Sequence, residues 1–125
     1  MFGPITIPFE SVMLFNIIKL KPDTDFEDVE MALAETCSIV KEKYSSQGFI
    51  AGQVFKYTGF ISDEGSVGDF GPEAEHVAIL TYWKGFREHE RSHADKDFKE
   101  KFSELLDLCT ESKELGYELL WQGSA

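Results

Sequence analysis

The sequence predicts an α+β domain built on a four-stranded antiparallel sheet, and three observations carry that expectation. Apolar, β-branched or aromatic runs recur at residues 11–20, 49–61, 76–83 and 116–122. Between them lie two segments whose apolar residues return every three or four positions, the period of a helix. The chain has 125 residues and a hydrophobic content of 42%, which suits one packed core and one domain.

Residues 1–10, with Gly3, Pro4 and Pro8, read as an extended arm, residues 11–122 as the domain and residues 123–125 as a tail. The first strand, SVMLFNIIKL at 11–20, is interrupted only by Asn16 and Lys19, the pattern of a strand covered on both faces. Thr24 with Glu27 makes a capping box, and Asp25, Glu27 and Asp28 place negative charge where the helix dipole favours it. Phe26, Val29, Leu33, Cys37, Val40 and Tyr44 then form one apolar stripe, ended by Gly48. The second strand, 49–61, is expected to bend at Gly52 or Gly59, and the turn-rich, acidic stretch 62–75 to be a loop. HVAILTYW at 76–83 is the third strand. Asp95 caps a helix on which Phe98, Phe102, Leu105 and Cys109 share a face, and GYELLWQ at 116–122 is the fourth strand.

The resulting order, β-α-β-β-α-β, is the split βαβ unit of ferredoxin-like folds. Such a sheet carries its two helices on one face. The apolar first strand implies that the other face is buried too, and the sheet of a second subunit would bury it.

Composition narrows the partners. Twelve Lys and Arg against 23 Asp and Glu leave a net charge of −11, which repels the phosphates of nucleic acid and anionic lipid. No apolar run approaches the roughly 20 residues of a membrane helix, so a soluble, cytoplasmic protein is expected. Cys37 and Cys109, two cysteines far apart at core-like helical positions, fit a reduced pair. Eleven Phe, four Tyr and two Trp exceed what a minimal core needs, so some are expected to line a pocket or an interface.

The stretch VAILTYWKGFREHERSHADKDFKEKFSELL resembles the third strand and second helix of the antibiotic-biosynthesis-monooxygenase family in the dimeric α/β-barrel superfamily. The shared features are an apolar strand ending in Trp-Lys, a short polar helix with His, and an amphipathic helix bearing Phe. In element order the resemblance spans about residues 11–122, and its specific part is 83–102. It implies a homodimer whose two sheets form a barrel, with a pocket between sheet and helices in each subunit. It also implies small-molecule chemistry, in some members oxygenation without a cofactor. Asn16 within FNIIKL resembles the first-strand Asn that, in the haem-degrading and polyketide-oxidising members, points into the pocket and bonds substrate or oxygen. Ser92 and Phe102 stand where the haem-degrading members carry a Trp and the haem-ligating His, which speaks against haem degradation.

The residues themselves support two readings of the candidate site. A buried amide in mid-strand needs partners, so Asn16 serves either a pocket or a strand edge or loop. His89-Glu90-Arg91-Ser92-His93 spells H-E-x-x-H, the helical zinc signature, with Glu111, Glu114 or Glu118 conceivable as a third ligand. Arg91 between the histidines and the lack of apolar positions favour a solvated helix over a metalloprotease, and no metal is expected. On the functional reading, His89 or His93 is a general base. Phe86 walls the pocket; Trp83, at the end of its strand, reads first as a core or interface residue and otherwise as pocket wall, and the Tyr82 hydroxyl is a donor if its side of the strand faces that pocket. His76 reads as a surface residue. Neither a dinucleotide fingerprint nor a P-loop is present, consistent with a reaction that needs no cofactor. The expectation is therefore an enzyme that deprotonates an apolar or aromatic molecule for reaction with oxygen, using Asn16, His89 and His93. The alternative is a non-catalytic dimer that binds a small ligand or stabilises an assembly.

Overall fold

The structure, a computed structural model, describes residues 3–69, 71, 73 and 75–125. Met1 and Phe2 of the expected arm, and Phe70, Pro72 and Ala74 of the expected loop, lie outside the described residues. Four strands and three helices follow in the order β1 (Val12–Leu20), α1 (Phe26–Tyr44), β2 (Phe49–Lys56), β3 (His76–Trp83), α2 (Phe86–Ser92), α3 (Lys96–Leu106) and β4 (Cys109–Glu118). The sheet order is β2-β3-β1-β4 and every pairing is antiparallel, the ferredoxin-like arrangement expected from the element order.

Alternation along β1 defines the two faces of this sheet. Leu14, Asn16, Ile18 and Leu20 are buried beneath the helices, while Met13, Phe15, Ile17 and Lys19 point the other way and stay partly exposed. On the helix side one cluster joins Ile18, Leu20, Val29, Leu33, Val77, Ile79 and Leu105, and a second joins Leu14, Val40, Tyr44, Trp83 and Phe98. On the outer side Phe15 and Tyr117 meet edge to face with ring centroids 6.4 Å apart, beside Met13, Leu80 and Leu115. The second apolar face that the sequence implies is therefore present and uncovered within one chain.

Several boundaries differ from the sequence reading, each for a local reason. The N-cap of α1 is Asp25, not Thr24: its carboxylate accepts from the Glu27 amide at 3.0 Å. Thr36 takes the buried position expected of Cys37, which is exposed, because the stripe advances by about 3.6 residues per turn; the Thr36 hydroxyl is satisfied by the Ala32 carbonyl at 2.8 Å. β2 ends at Lys56, not at 61. Gly59 has φ +137°, a conformation closed to side-chain-bearing residues, and only Ile61 pairs again, with Val67. The second helix is two, α2 and α3, as the family resemblance implied. Asp95 ends the break between them by accepting from the Phe98 amide at 3.0 Å.

The largest difference is the fourth strand, which spans Cys109–Glu118 and not 116–122. Its polar sequence hides it from a search for apolar alternation, because β4 is an edge strand held mainly by its ladder with β1. Cys109 opens this strand instead of ending a helix, although its thiol still reaches the Leu105 carbonyl at 3.3 Å. Residues 119–125 form no strand, and Leu120 and Trp121 are exposed.

Asp95 also ties α3 to α1. Tyr44 donates its hydroxyl to Asp95 at 3.0 Å, and Lys43 pairs with Asp95 at 3.2 Å and Asp97 at 2.7 Å. The Phe98 amide, aided by Tyr44 and Lys43 and opposed by partial burial, holds the Asp95 carboxyl below its usual value. A lowered carboxyl contributes stability that is complete above its unfolded value, near pH 4, and is lost as pH falls through the lower folded value. Asp95→Asn, which keeps the cap, should therefore flatten the acid limb of stability below about pH 4 in urea titrations. Leu105→Ala, at a fully buried position, should cost about 2–5 kcal/mol in the same assay at neutral pH.

Candidate functional site

The site is assembled where α2 crosses the β1–β4 edge of the sheet. In the β1–β4 register Asn16 lies opposite Glu114, and both sit on the helix face. Directly opposed residues of an antiparallel pair have Cβ atoms roughly 4.5–5.5 Å apart, so an amide and a carboxylate stand side by side. Two residues along β4, Gly116 leaves space for Phe86: a Cβ built there would meet the Phe86 ring at 2.9 Å. Because Phe86 opens α2, this contact seats the helix over the strand.

His89 and His93, one turn apart, then face the same point. Their Nε2 atoms are 2.9 Å apart, and each approaches the Glu114 Oε1, at 3.2 Å from His89 and 3.3 Å from His93. The turn between them is fixed from within, since fully buried Ser92 donates to the His89 carbonyl at 2.6 Å. Aromatic rings enclose the pair. Trp83 meets the His89 ring edge at 5.4 Å between centroids, and Phe98 meets the His93 ring at 5.3 Å. His89 keeps 14% of its side-chain exposure and His93 39%, so the cluster opens to solvent on the His93 side.

Glu114 is strongly perturbed. Burial raises its carboxyl, but the hydrogen bonds and charges of His89 and His93 outweigh that and hold it at about 2. It therefore remains an acceptor throughout the neutral range. Asn16 is 7% exposed and, among the described residues, its side chain has no hydrogen-bonding partner. The residue is buried, but its amide atoms are not: among the described residues the buried side-chain polar atom without a partner is Ser11 Oγ, so the Asn16 amide still reaches open space and is accessible to a ligand atom or water.

The other candidates separate. Trp83 is a core residue, 1% exposed, with its indole N–H donating to Thr81 Oγ1 at 2.9 Å, yet its ring edge also forms a wall behind His89. Phe86 lies at the site and is partly exposed. Tyr82 does not join them: it faces the outer side, where it donates to Gln53 at 2.9 Å and lines a hollow of about 510 Å³ with Met13, Tyr117 and Trp121. The sheet separates it from the imidazoles. His76 stacks on Tyr57 with centroids 4.3 Å apart, away from the cluster. Glu90, the acid of H-E-x-x-H, is exposed and is not part of the cluster. Glu114, which the sequence offered only as one of three conceivable third metal ligands with Glu111 and Glu118, is the one that the structure brings to the imidazoles. Placing β4 at 109–118 would have found it, because only then does Glu114 lie opposite Asn16.

No protein-family model matches the chain, and neither does any curated protein. Solved structures do. SnoaB, a cofactor-independent oxygenase from Streptomyces nogalater, is 13% identical with a TM-score of 0.68, covering 90% of this chain and 96% of its own. A hydroxynitrile lyase from Passiflora edulis is 11% identical with a TM-score of 0.68, covering 94% of this chain and all of its own. A dimeric ferredoxin-like protein of unknown function from Bacteroides fragilis is 13% identical with a TM-score of 0.57, covering 86% and 95%. At these identities the likeness establishes the fold, which is the one the family resemblance implied. An oxygenase and a lyase share it, so the fold does not choose the reaction.

If both imidazoles rest on one carboxylate, Glu114→Gln should move the ring resonances of His89 and His93 together in a proton–nitrogen correlation spectrum. Those of His76 should stay in place. Movement of only one of the pair would disprove the shared contact.

Proposed function

We propose that this chain is a small monooxygenase-like enzyme that removes a proton from an apolar or aromatic molecule without a cofactor. The observation that supports this reading best is the Glu114 carboxylate bridging two imidazoles beside the unpartnered amide of Asn16, a residue on the buried side of β1. An imidazole that takes a proton becomes a cation, and Glu114, ionised at neutral pH, is in place to pair with it. His93, the more exposed ring, is the base that a substrate meets first, and His89 carries the contact inward. Asn16 orients substrate or oxygen, and Phe86 and Trp83 supply apolar wall. The fold is shared with a cofactor-independent oxygenase, which supports the class and not the substrate.

The working unit on this reading is a homodimer closed through the outer sheet faces. Met13, Phe15, Ile17, Leu80, Leu115 and Tyr117 give that face an apolar surface, and one fold neighbour is a dimer. Among the described residues no helix is long and apolar enough to cross a membrane. The outer hollow favours a second reading, a dimer that holds an apolar ligand between sheets and performs no chemistry.

A panel of phenolic aromatics, followed by oxygen uptake, separates the two. Catalysis predicts turnover that falls about 100-fold or more in His93→Ala and drops in Asn16→Ala chiefly through kcat. Unchanged turnover in Asn16→Ala would remove that residue from its role, and binding without oxygen uptake would favour the second reading. In sedimentation velocity the protein should run as a dimer, and Phe15→Glu, which places a charge on the central strand of the outer face, as a monomer.

A further inference from the structure

The three converging atoms of the cluster have more attraction for a cation than protons can satisfy. Each imidazole Nε2 has one in-plane position, which holds either a hydrogen or a lone pair. With one proton, a lone pair on the other ring faces a carboxylate oxygen. With two, two N–H groups face one another across 2.9 Å. No arrangement of protons satisfies all three edges of the triangle, whereas one ion seated just off its plane is bound by all three atoms.

The dimensions agree. Metal–nitrogen and metal–oxygen distances near 2.0–2.1 Å give ligand-to-ligand edges of roughly 2.9 Å in octahedral and roughly 3.4 Å in tetrahedral coordination. The observed edges are 2.9, 3.2 and 3.3 Å. Two imidazoles and one carboxylate on one side of an ion leave the other positions open, the arrangement of catalytic rather than structural metal sites. An independent feature lies beside it: Asn16, a buried residue whose amide has no partner among the described residues, stands opposite Glu114 in the sheet. The chain's net charge of −11 further favours cation binding.

We infer that His89 Nε2, His93 Nε2 and Glu114 Oε1 form a three-ligand site for one divalent first-row metal ion of the zinc class, with the Asn16 amide beside its open positions. This is not the metalloprotease arrangement that H-E-x-x-H suggests, because the third ligand comes from β4 and Glu90 points elsewhere. The inference uses the same atoms as the proton-transfer reading but does not depend on it. In the loaded form both lone pairs are engaged, so on that reading zinc is an inhibitor.

Chelator-treated full-length protein titrated with zinc chloride, by calorimetry and native mass spectrometry, should take up one ion per chain. Cobalt(II) as a probe should give the visible bands of a low-coordinate nitrogen and oxygen site. Glu114→Gln, nearly isosteric, and His93→Ala should each weaken zinc binding by about 100-fold or more, with His76→Ala unchanged and circular dichroism confirming that each variant is folded. Absence of saturable binding, or full affinity in Glu114→Gln, would overturn the site. Loss of turnover on adding zinc supports both the site and the base role. Turnover that requires zinc keeps the site and overturns the cofactor-independent reading instead.

Discussion

The ladder between β1 and β4 is the interaction on which the site depends. β4 brings little apolar surface of its own, since most of its residues are exposed, yet it pairs with β1 from Val12 to Leu20. The backbone hydrogen bonds, with Gly116 admitting Phe86 and Leu115 adding to the outer face, hold it in one register from Val12 to Lys19, before a shift at Leu20. A slip of one residue would turn Glu114 to the outer face and replace it under α2 with Lys113 or Leu115. The carboxylate that binds the two imidazoles would then be gone, and Asn16 would no longer face it. Register on an edge strand, normally a loose quantity, here decides whether the cluster forms.

The second constraint is the break between α2 and α3. A continuous helix from Phe86 to Leu106 would keep His89 and His93 on one face, but it would have to hold the Phe98 and Phe102 stripe in phase with them. Breaking the chain at residues 93–95 frees the two pieces. Asp95 starts α3 with its own cap and anchors it to Tyr44 and Lys43 of α1, while Ser92 fixes the last turn of α2 from below. Phe98 can then serve the core and the His93 ring together. The polar character that makes 87–95 look like a solvated helix in sequence is real for Arg87, Glu90 and Arg91, which are exposed. It misleads only for the histidines, whose environment is made by residues distant in the chain.

That contrast explains what the sequence disclosed. β1, α1 and β3 were legible because each buries a regular apolar pattern, and the α3 cap was legible because Asp95 stands one position before the helix. β4 was not, because strand pairing at an edge leaves no apolar signature, and the apolar GYELLWQ drew the strand toward the exposed Leu120 and Trp121. Asn16, His89 and His93 stood out as residue types at odds with their surroundings. Glu114, one acid among 23 Asp and Glu, carried no such contrast, and only tertiary register singles it out.

The two faces of the sheet thus divide the labour that the aromatic surplus foreshadowed. On the helix side Trp83, Phe98 and Phe102 surround a small polar cluster, lowering the local dielectric so that the imidazole and carboxylate contacts are stronger than on an open surface. On the outer side Phe15, Tyr82 and Tyr117 form an apolar surface at one end, suited to a second sheet or an apolar ligand, while Lys19 with Glu73 and Glu111 makes the other end charged. Asn16 and Phe15 are neighbours in sequence and point to opposite faces, so the central strand contributes to both surfaces at once. A substitution at one can reach the other through the strand they share. Asn16→Ala removes a polar group next to Glu114 while leaving the β1 ladder intact, whereas a charge at Phe15 acts on the outer face and leaves the imidazole cluster in place.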